Sequence, residues 1–427
     1  MKIKVIDLPY QQVMALPRPQ RSKPLRPSPL IRGLLYAVSA PELRQVGFTH
    51  TTEDMDRLGE GPCLILMNHS SFIDLKIAVK LFFPRPLSIV CTTDGFVGKS
   101  GLMRALGCIP THKFVSDVGL IGQMRYALEE LGCSVLMYPE ASYSFDGTAT
   151  PLPRKLGVLL KKLKVPVVTV ITSGAFTRQP LYNCLHRHDT PVSAHVRCLL
   201  TPEDIARHSV PELDAMLDAA FTFDQFAWQY RQQVAMTAPN RAEGLHRILY
   251  RCPVCGREDG MEGKGTTLTC RCCGKTYAMT PYGRLEALEG ETEFAHIPDW
   301  YAWQRQCVRR ELEEGSYRLD LPVDIAVVAD HRAVYRVGEG RLQHDAGGFT
   351  LTGCGGQLHY TQSPLYSYSL YADYYWYELG DVICLGDLET QYCCFPQSPH
   401  PVAKTRLAVE ELYRMKKPSR RREAVES

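Results

Sequence analysis

The sequence predicts an α/β domain with a largely parallel sheet, then a small metal-binding module, then a β-rich C-terminal domain. Three observations lead there. Between about residues 60 and 200, short β-rich runs alternate with helical patterns, as in strands joined by helical crossovers. Two Cys-x-x-Cys pairs, Cys252/Cys255 and Cys270/Cys273, are joined by a short polar, glycine-rich segment. From about residue 317 to 397, β-branched and aromatic runs are divided by Gly338, Gly340, Gly347 and Gly348, placed to turn hairpins.

The composition sets bounds. A chain of 427 residues is too long for one ordinary compact domain, so two or three are expected. Hydrophobic residues at 45% and charged residues at 22% are ordinary for a globular protein with a substantial core. A net charge of +3 lacks the broad positive excess of a nucleic-acid binder. The start, MKIKVIDLPYQQ, has no apolar signal-peptide core, and no apolar run reaches the roughly 18 residues needed to cross a bilayer. The expectation is a soluble or membrane-surface protein. Sixteen cysteines in a large chain without a signal peptide, several at metal-like spacing, fit a reducing cytoplasm better than a disulfide scaffold.

In order along the chain, residues 1–50 read as a basic, proline-rich arm followed by a helix. Pro17, Pro19, Pro24, Pro27 and Pro29 interrupt regular helix, beside Arg18, Arg21, Lys23 and Arg26. Leu30, Ile31, Leu34, Leu35 and Val38 then recur at helical spacing. Two readings stand for this helix: packing on the next domain, or lying on an anionic membrane surface. Residues 51–245 form the α/β domain. Its expected strands are Leu64–Met67, Leu87–Thr92, Ser134–Tyr138, Val165–Thr172 and Ala194–Leu200, with helices at Leu75–Phe82, Leu102–Leu106, Gly119–Leu131 and Lys155–Leu163. Helical patterns from Pro211 to Ala220 and Phe223 to Met236 close it. Residues 246–284 hold the cysteine pairs. Residues 285–427 begin with a helix at Asp299–Glu314, continue as strands, and end in a helix and the basic tail Lys416, Lys417, Arg420, Arg421 and Arg422. The tyrosines of LYSYSLYADYYWYEL read as one face of a small sheet.

Four thiolates from two knuckles suit the tetrahedral preference of Zn²⁺, and a closed Cys₄ site is structural rather than catalytic. The expected ligands are Cys252, Cys255, Cys270 and Cys273, with Cys272 able to replace one of them.

The catalytic candidate lies earlier. The apolar run Leu64–Met67 ends in Asn68-His69, and a carboxylate follows at Asp74. A strand that empties into a loop bearing a histidine, with an acid just beyond, can present a general base. The acid holds one ring nitrogen, which fixes the tautomer and frees the other nitrogen to take a proton.

Four segments in order extend this. Asn68-His69-Ser-Ser-Phe-Ile-Asp74 matches the NHxxxxD motif of the glycerolipid acyltransferases. Gly107-Cys-Ile-Pro-Thr-His-Lys113, Tyr138-Pro-Glu140-Ala141-Ser142-Tyr143-Ser144 and Val165-Pro-Val-Val168 resemble that family's second, third and fourth blocks. The chain is thus similar over residues 60–180 to 1-acylglycerol-3-phosphate (lysophosphatidate) acyltransferases. The resemblance implies that family's mixed, largely parallel sheet flanked by helices. It implies acyl transfer from acyl-CoA or acyl carrier protein to a lysophospholipid hydroxyl, most directly lysophosphatidate giving phosphatidate. His69 would be the base, Asp74 its orienter, and Asn68, Lys113, Glu140 and Ser142 substrate-binding residues. A thioester is already activated, so no catalytic cofactor is expected. The expected location is the inner, cytoplasmic face of a membrane, with no nucleic-acid partner.

The pattern departs from the family at two places. Its third-block arginine, a phosphate ligand, is Tyr143 here, and its glycine is Ala141. Its second-block arginine is Lys113, which keeps the charge without the bidentate fork; Arg154 downstream is a candidate to compensate. Three other motifs fail on inspection. Thr93 to Ser100 nearly spells a P-loop but lacks its first glycine. Ser70 and Ser71 have no G-x-S-x-G elbow. The cysteine module lacks a basic-aromatic recognition motif. The alternative to an enzyme is a non-catalytic lipid-sensing or partner-docking protein on the same scaffold.

Overall fold

The computed structural model describes residues 3–397 and 401–417. Its first domain is built on a seven-stranded sheet. The strand order is Thr49–Glu53, Ser193–Leu200, Val167–Ser173, Leu64–Met67, Ser134–Met137, Leu87–Thr92, Cys108–Thr111. All neighbours run parallel except Val167–Ser173 against Ser193–Leu200. The central strand Leu64–Met67 is buried at every position, which is why it reads as an unbroken apolar run: helices cover both faces of a parallel sheet. Its side chains alternate. Ile65 and Met67 join the core with Ile77 and Phe82, and Leu64 and Leu66 join the core with Leu128 and Leu160 on the other face.

Two strands escape the sequence pattern for physical reasons. Thr49–Glu53 is exposed throughout, so it has no apolar side to reveal it. Cys108–Thr111 carries Pro110 and is only four residues long; it sits at the sheet's edge, where proline costs no ladder bond. The other expected strands and the helices Asp74–Phe82, Val118–Glu129, Leu156–Leu163 and Val210–Ala220 fall within a few residues of the sequence pattern; helix Gln225–Arg231 stops short of the expected Met236, and the short helix Ala175–Arg178 lies outside the pattern.

The arm expected over residues 1–50 is divided. Val5–Asp7 is a strand, paired in parallel with the C-terminal sheet through Val5↔Val334 and Asp7↔Arg336, and Tyr10–Met14 is a short helix. Helix Pro29–Gln45 starts at Ser28, whose Oγ accepts from the Ile31 N–H at 3.3 Å, with proline in the first turn. It buries Ser39 and Leu43 against the Asp74–Phe82 helix and leaves Leu30, Leu34 and Val38 exposed at 85%, 64% and 55%.

The cysteine module is a four-stranded antiparallel sheet. Beyond it, helix Ile297–Glu313 leads into an eight-stranded sheet, which includes the N-terminal strand and ends at the edge strand Tyr371–Trp376. Helix Pro401–Lys416 packs beside Ile297–Glu313, with Arg305 ion-paired to Glu410 at 2.7 Å and Glu411 at 3.1 Å. One hydrophobic core joins Phe145 and Phe176 of the first domain, Cys252 and Leu268 of the cysteine module, and Trp300, Tyr374 and Leu407 of the C-terminal domain. The packing therefore runs across the boundaries expected near residues 245 and 284. Of the basic tail, Arg420, Arg421 and Arg422 lie outside the described residues.

Gly107 shows how tightly one turn is set. It has φ of +81°, and an added Cβ would lie 2.6 Å from the Leu87 carbonyl oxygen. Left-handed backbone costs a β-carbon residue about 1–2 kcal/mol before any clash. Gly107→Ala should lose at least ~1–2 kcal/mol of stability in urea unfolding, and an unchanged midpoint would contradict this close approach.

Candidate active site

The end of strand Leu64–Met67 is locked to its neighbour by Asn68. This side chain is fully buried. Its Oδ1 accepts from the Thr172 N–H at 2.8 Å and the Thr172 hydroxyl at 3.1 Å, and its Nδ2 donates to Ser70 Oγ at 3.1 Å. Asn68 thus has its polar atoms committed to the fold and holds the loop that presents His69.

Asp74 opens the next helix and turns its carboxylate back over that loop. Its Oδ2 accepts from the Ser70 N–H at 2.7 Å, the Ser71 N–H at 3.0 Å and His69 Nδ1 at 3.1 Å. A carboxylate in this setting is an acceptor, so the network assigns the proton to Nδ1 and leaves the Nε2 lone pair free. Nε2 has no hydrogen-bond partner among the described residues, and the His69 side chain keeps 17% of its surface exposed. Burial holds the imidazole below its ordinary pKa and the Lys113 charge adds to this, against the opposing pull of Asp74. The ring is therefore neutral, hence able to accept a proton, at neutral pH.

The ring is also clamped. Tyr138 stacks on one side at 4.0 Å between centroids, and Tyr143 stacks at 3.8 Å. Tyr143, where the family pattern has arginine, is thus an aromatic plate on the base, with Phe72 at its edge 5.8 Å away. Ala141, where that pattern has glycine, keeps a left-handed φ of 55°; the turn is retained at a backbone cost that glycine would not carry.

Glu140 braces the same loop from below. Its Oε2 accepts from the His69 N–H at 3.0 Å, and its Oε1 accepts from the Thr150 N–H at 2.8 Å and the Thr150 hydroxyl at 3.0 Å. Burial pushes this carboxyl up to about 7, opposed by those N–H donors. Ser142 is buried and faces Arg406, whose Nη1 donates to Ser142 Oγ and to the Tyr143 carbonyl, both at 3.2 Å.

Lys113 stands with its ammonium 4.1 Å from the Tyr371 ring centroid and 6.0 Å from that of Tyr143. His69, Asp74, Glu140, Ser142 and Lys113 therefore converge with Asn68 beneath them. Arg154 does not join them: it is exposed and ion-paired with Asp218 at 2.8 Å.

Residues 47–173 match the family model described as Acyltransferase. The likeness to that family is confined to this segment. The match covers less than half of the chain, all of it within the first domain. The fold is also similar to the 1-acyl-sn-glycerophosphate (LPA) acyltransferase PlsC from Thermotoga maritima, at 16% identity and a TM-score of 0.36, over 45% of this chain and 77% of that one.

The candidate site includes residues from far along the chain. Edge strand Tyr371–Trp376 lies against it: the Tyr371 hydroxyl donates to buried Asp94 at 3.1 Å and accepts from Trp376 Nε1 at 2.9 Å. The tyrosine-rich run is thus an edge strand turned toward the acyltransferase domain. Arg406 comes from the helix Pro401–Lys416, where against the upward push of burial Arg305 and Arg406 hold Glu410 down to about 2. Asp94, Tyr371 and Arg406 carry no local motif. Only the buried charge pattern Arg406/Glu410, one helical turn apart inside an apolar helix face, hints in sequence at a role.

In the cysteine module, the Sγ atoms of Cys252, Cys255, Cys270 and Cys273 lie within 4.8 Å of one another. The Cys252–Cys273 and Cys255–Cys270 separations are both 3.7 Å. A tetrahedral ion with metal–sulfur bonds of about 2.3 Å spaces its sulfurs by about 3.8 Å, so the four thiols fit a metal ion. Cys272 points elsewhere, toward Gly260, where an added Cβ would be 2.5 Å from its Sγ.

Glu140 supplies a test of the brace. Its folded pKa of about 7 lies above the ordinary 4.5, so its contribution to stability is full below about pH 4.5 and is lost as pH rises through 7. Glu140→Gln keeps one of the two acceptor oxygens, at a cost that does not vary with pH, and removes the titration. Its stability relative to the unmodified protein should improve by up to about 3 kcal/mol between pH 4.5 and 7.5, read by urea unfolding. A difference independent of pH would contradict the burial argument.

Proposed function

We propose that this protein transfers a fatty acyl group from a thioester, acyl-CoA or acyl carrier protein, to the free hydroxyl of a lysophospholipid. The observation that carries this is the His69–Asp74 pair, 3.1 Å apart, with Nε2 open. In the reaction Nε2 takes the hydroxyl proton as the oxygen attacks the thioester carbonyl, Asp74 steadies the imidazolium, and the proton passes to the departing thiolate. The tyrosine plates keep the ring in plane, and Glu140 fixes the backbone beneath it. The motifs favour 1-acylglycerol-3-phosphate as acceptor through Lys113, the one cation retained at the family's two phosphate positions.

His69→Ala should lower turnover by roughly 10²–10⁴-fold while leaving thermal unfolding near that of the unmodified protein. The acid limb of kcat/KM should have its midpoint below 6.5, following the lowered imidazole pKa. Acylated product is followed by mass spectrometry with both donor types. One feature favours a second reading, a lipid sensor without turnover: the stacking of Tyr138 and Tyr143 over the base. That reading predicts no product and lysolipid binding that His69→Ala leaves intact.

For the cysteine module we propose a structural Zn²⁺ held by Cys252, Cys255, Cys270 and Cys273. About one zinc per chain is expected by elemental analysis. The paired Cys252→Ser and Cys255→Ser exchanges should abolish it, and Cys272→Ser should not.

Peripheral association with the inner face of a membrane is supported by the exposed stripe Leu30, Leu34 and Val38 and by exposed Phe72 and Leu75 near the site. Among the described residues, no helix is long and apolar enough to cross a membrane.

A further inference from the structure

The turn at residues 138–144 grips His69 by both ends of its backbone. Glu140 Oε2 accepts from the His69 N–H at 3.0 Å, and the Ser144 N–H donates to the His69 carbonyl at 3.2 Å. Between those two anchors lie Ala141, Ser142 and Tyr143. Ala141 has a left-handed φ of 55°, a conformation that a residue with a β-carbon keeps only where its surroundings impose it. Tyr143 sets its ring centroid 3.8 Å from that of the imidazole. The seat of this ring follows from whatever holds the middle of the turn.

Arg406 holds it. Its Nη1 donates to Ser142 Oγ and to the Tyr143 carbonyl, both at 3.2 Å, and its Nε donates to Glu410 Oε1 at 3.3 Å. The guanidinium carbon lies 4.4 Å from the centroid of the Phe145 ring, so the cation is fixed between that ring and the turn. Arg406 and Glu410 are both buried, and a charge taken out of water is costly unless its donors are matched. The helix itself is tied down by other pairs. Arg305 reaches Glu410 at 2.7 Å and Glu411 at 3.1 Å, and Lys404 reaches Glu258 at 2.9 Å and Glu311 at 2.8 Å. Arg406 is the side chain that this anchored helix extends to the turn.

We infer that Arg406 is a positioning residue for the base: it holds the Ser142–Tyr143 segment so that the tyrosine ring seats on the His69 imidazole. The C-terminal domain thereby completes a site built mainly by the first domain. The effect on turnover rests on the acyl-transfer reading; the seating of the ring is measurable without it. The ionisable groups around the imidazole are Asp74 from the helix it opens, Tyr138, Glu140 and Tyr143 from the turn, and Lys113 from the loop beyond Cys108–Thr111. Arg406 acts through Tyr143. Burial is the main cause that keeps the imidazole below 6.5, so unseating the ring lets water in and the pKa climbs back.

The test uses Arg406→Lys in the full chain. Lysine keeps a cation for Glu410 but lacks the planar fork that spans Glu410 and the turn together. The substrates are oleoyl-CoA and whichever of lysophosphatidate and lysophosphatidylethanolamine the unmodified protein acylates faster. Here kcat should fall about tenfold or more, with both KM values within about threefold of the unmodified protein's. The His69 pKa is followed by NMR on carbon-13-labelled histidine, its signal identified by its loss in His69→Ala. It should rise by about half a unit or more. Tyr143→Ala should move it the same way, and adding Arg406→Lys to Tyr143→Ala should change kcat by less than about twofold, since the ring to be displaced is gone. An arginine that only stabilises the fold gives the opposite pattern: a lower unfolding midpoint, kcat and pKa unmoved at temperatures below it, and effects that multiply with Tyr143→Ala. That pattern overturns the inference. If Arg406→Lys does not fold, Ser142→Ala, which removes one of the two acceptors on the turn, carries the same measurements. Should the unmodified protein acylate neither lysolipid, the acyl-transfer reading fails, and the NMR titration still decides: a pKa raised by Arg406→Lys supports the positioning, and an unmoved one sinks it.

Discussion

A single carboxylate oxygen organises the site. Asp74 Oδ2 collects two loop N–H groups and the imidazole Nδ1, so the contacts that shape the loop also fix the tautomer of its histidine. Loop geometry and base orientation become one constraint, set where the buried strand Leu64–Met67 gives way to the helix opened by Asp74. Asn68 and Glu140 then tie that loop to the neighbouring strand and to the turn at residues 138–144, so each additional hydrogen bond stiffens the same few atoms.

The C-terminal domain extends this constraint across the chain. An edge strand left open is a hazard for any sheet. Here Tyr371–Trp376 is covered by the first domain, and the surface it turns there carries Tyr371. The helix Pro401–Lys416 delivers Arg406 to the turn beneath Tyr143. Arg406 is satisfied by an ion pair within its own helix and by the turn's carbonyl, so it fixes backbone instead of presenting charge. The shared core through Phe145, Trp300 and Leu407 makes these contacts part of the fold.

Much of the first domain is legible in sequence because its signals are local. Leu64–Met67 and Val167–Ser173 are apolar runs buried on both faces, and His69 and Asp74 lie within one loop and a helix start. The four cysteines announce themselves by spacing. What escapes is long-range. Thr49–Glu53 has no buried side, and Val5–Asp7 finds its partner in a distant strand. Arg406 replaces nothing in any motif yet contacts one, and no spacing foretells that Lys113 lies over the Tyr371 ring. Arg154 shows the converse: proximity in sequence to the third block suggested a ligand, but its nearest charge in space is Asp218. Glu140 and Ser142 lie where the motif puts them, yet their polar atoms are turned inward to backbone and to Arg406.

The pairing of Val5–Asp7 with Val334–Arg336 has a consequence for how the molecule is made. Those residues leave the ribosome more than three hundred positions ahead of the strand they pair with. The strand that presses Tyr371 onto Lys113 is made later still. The newly synthesised first domain therefore waits, without its distal wall, until that sheet has been made.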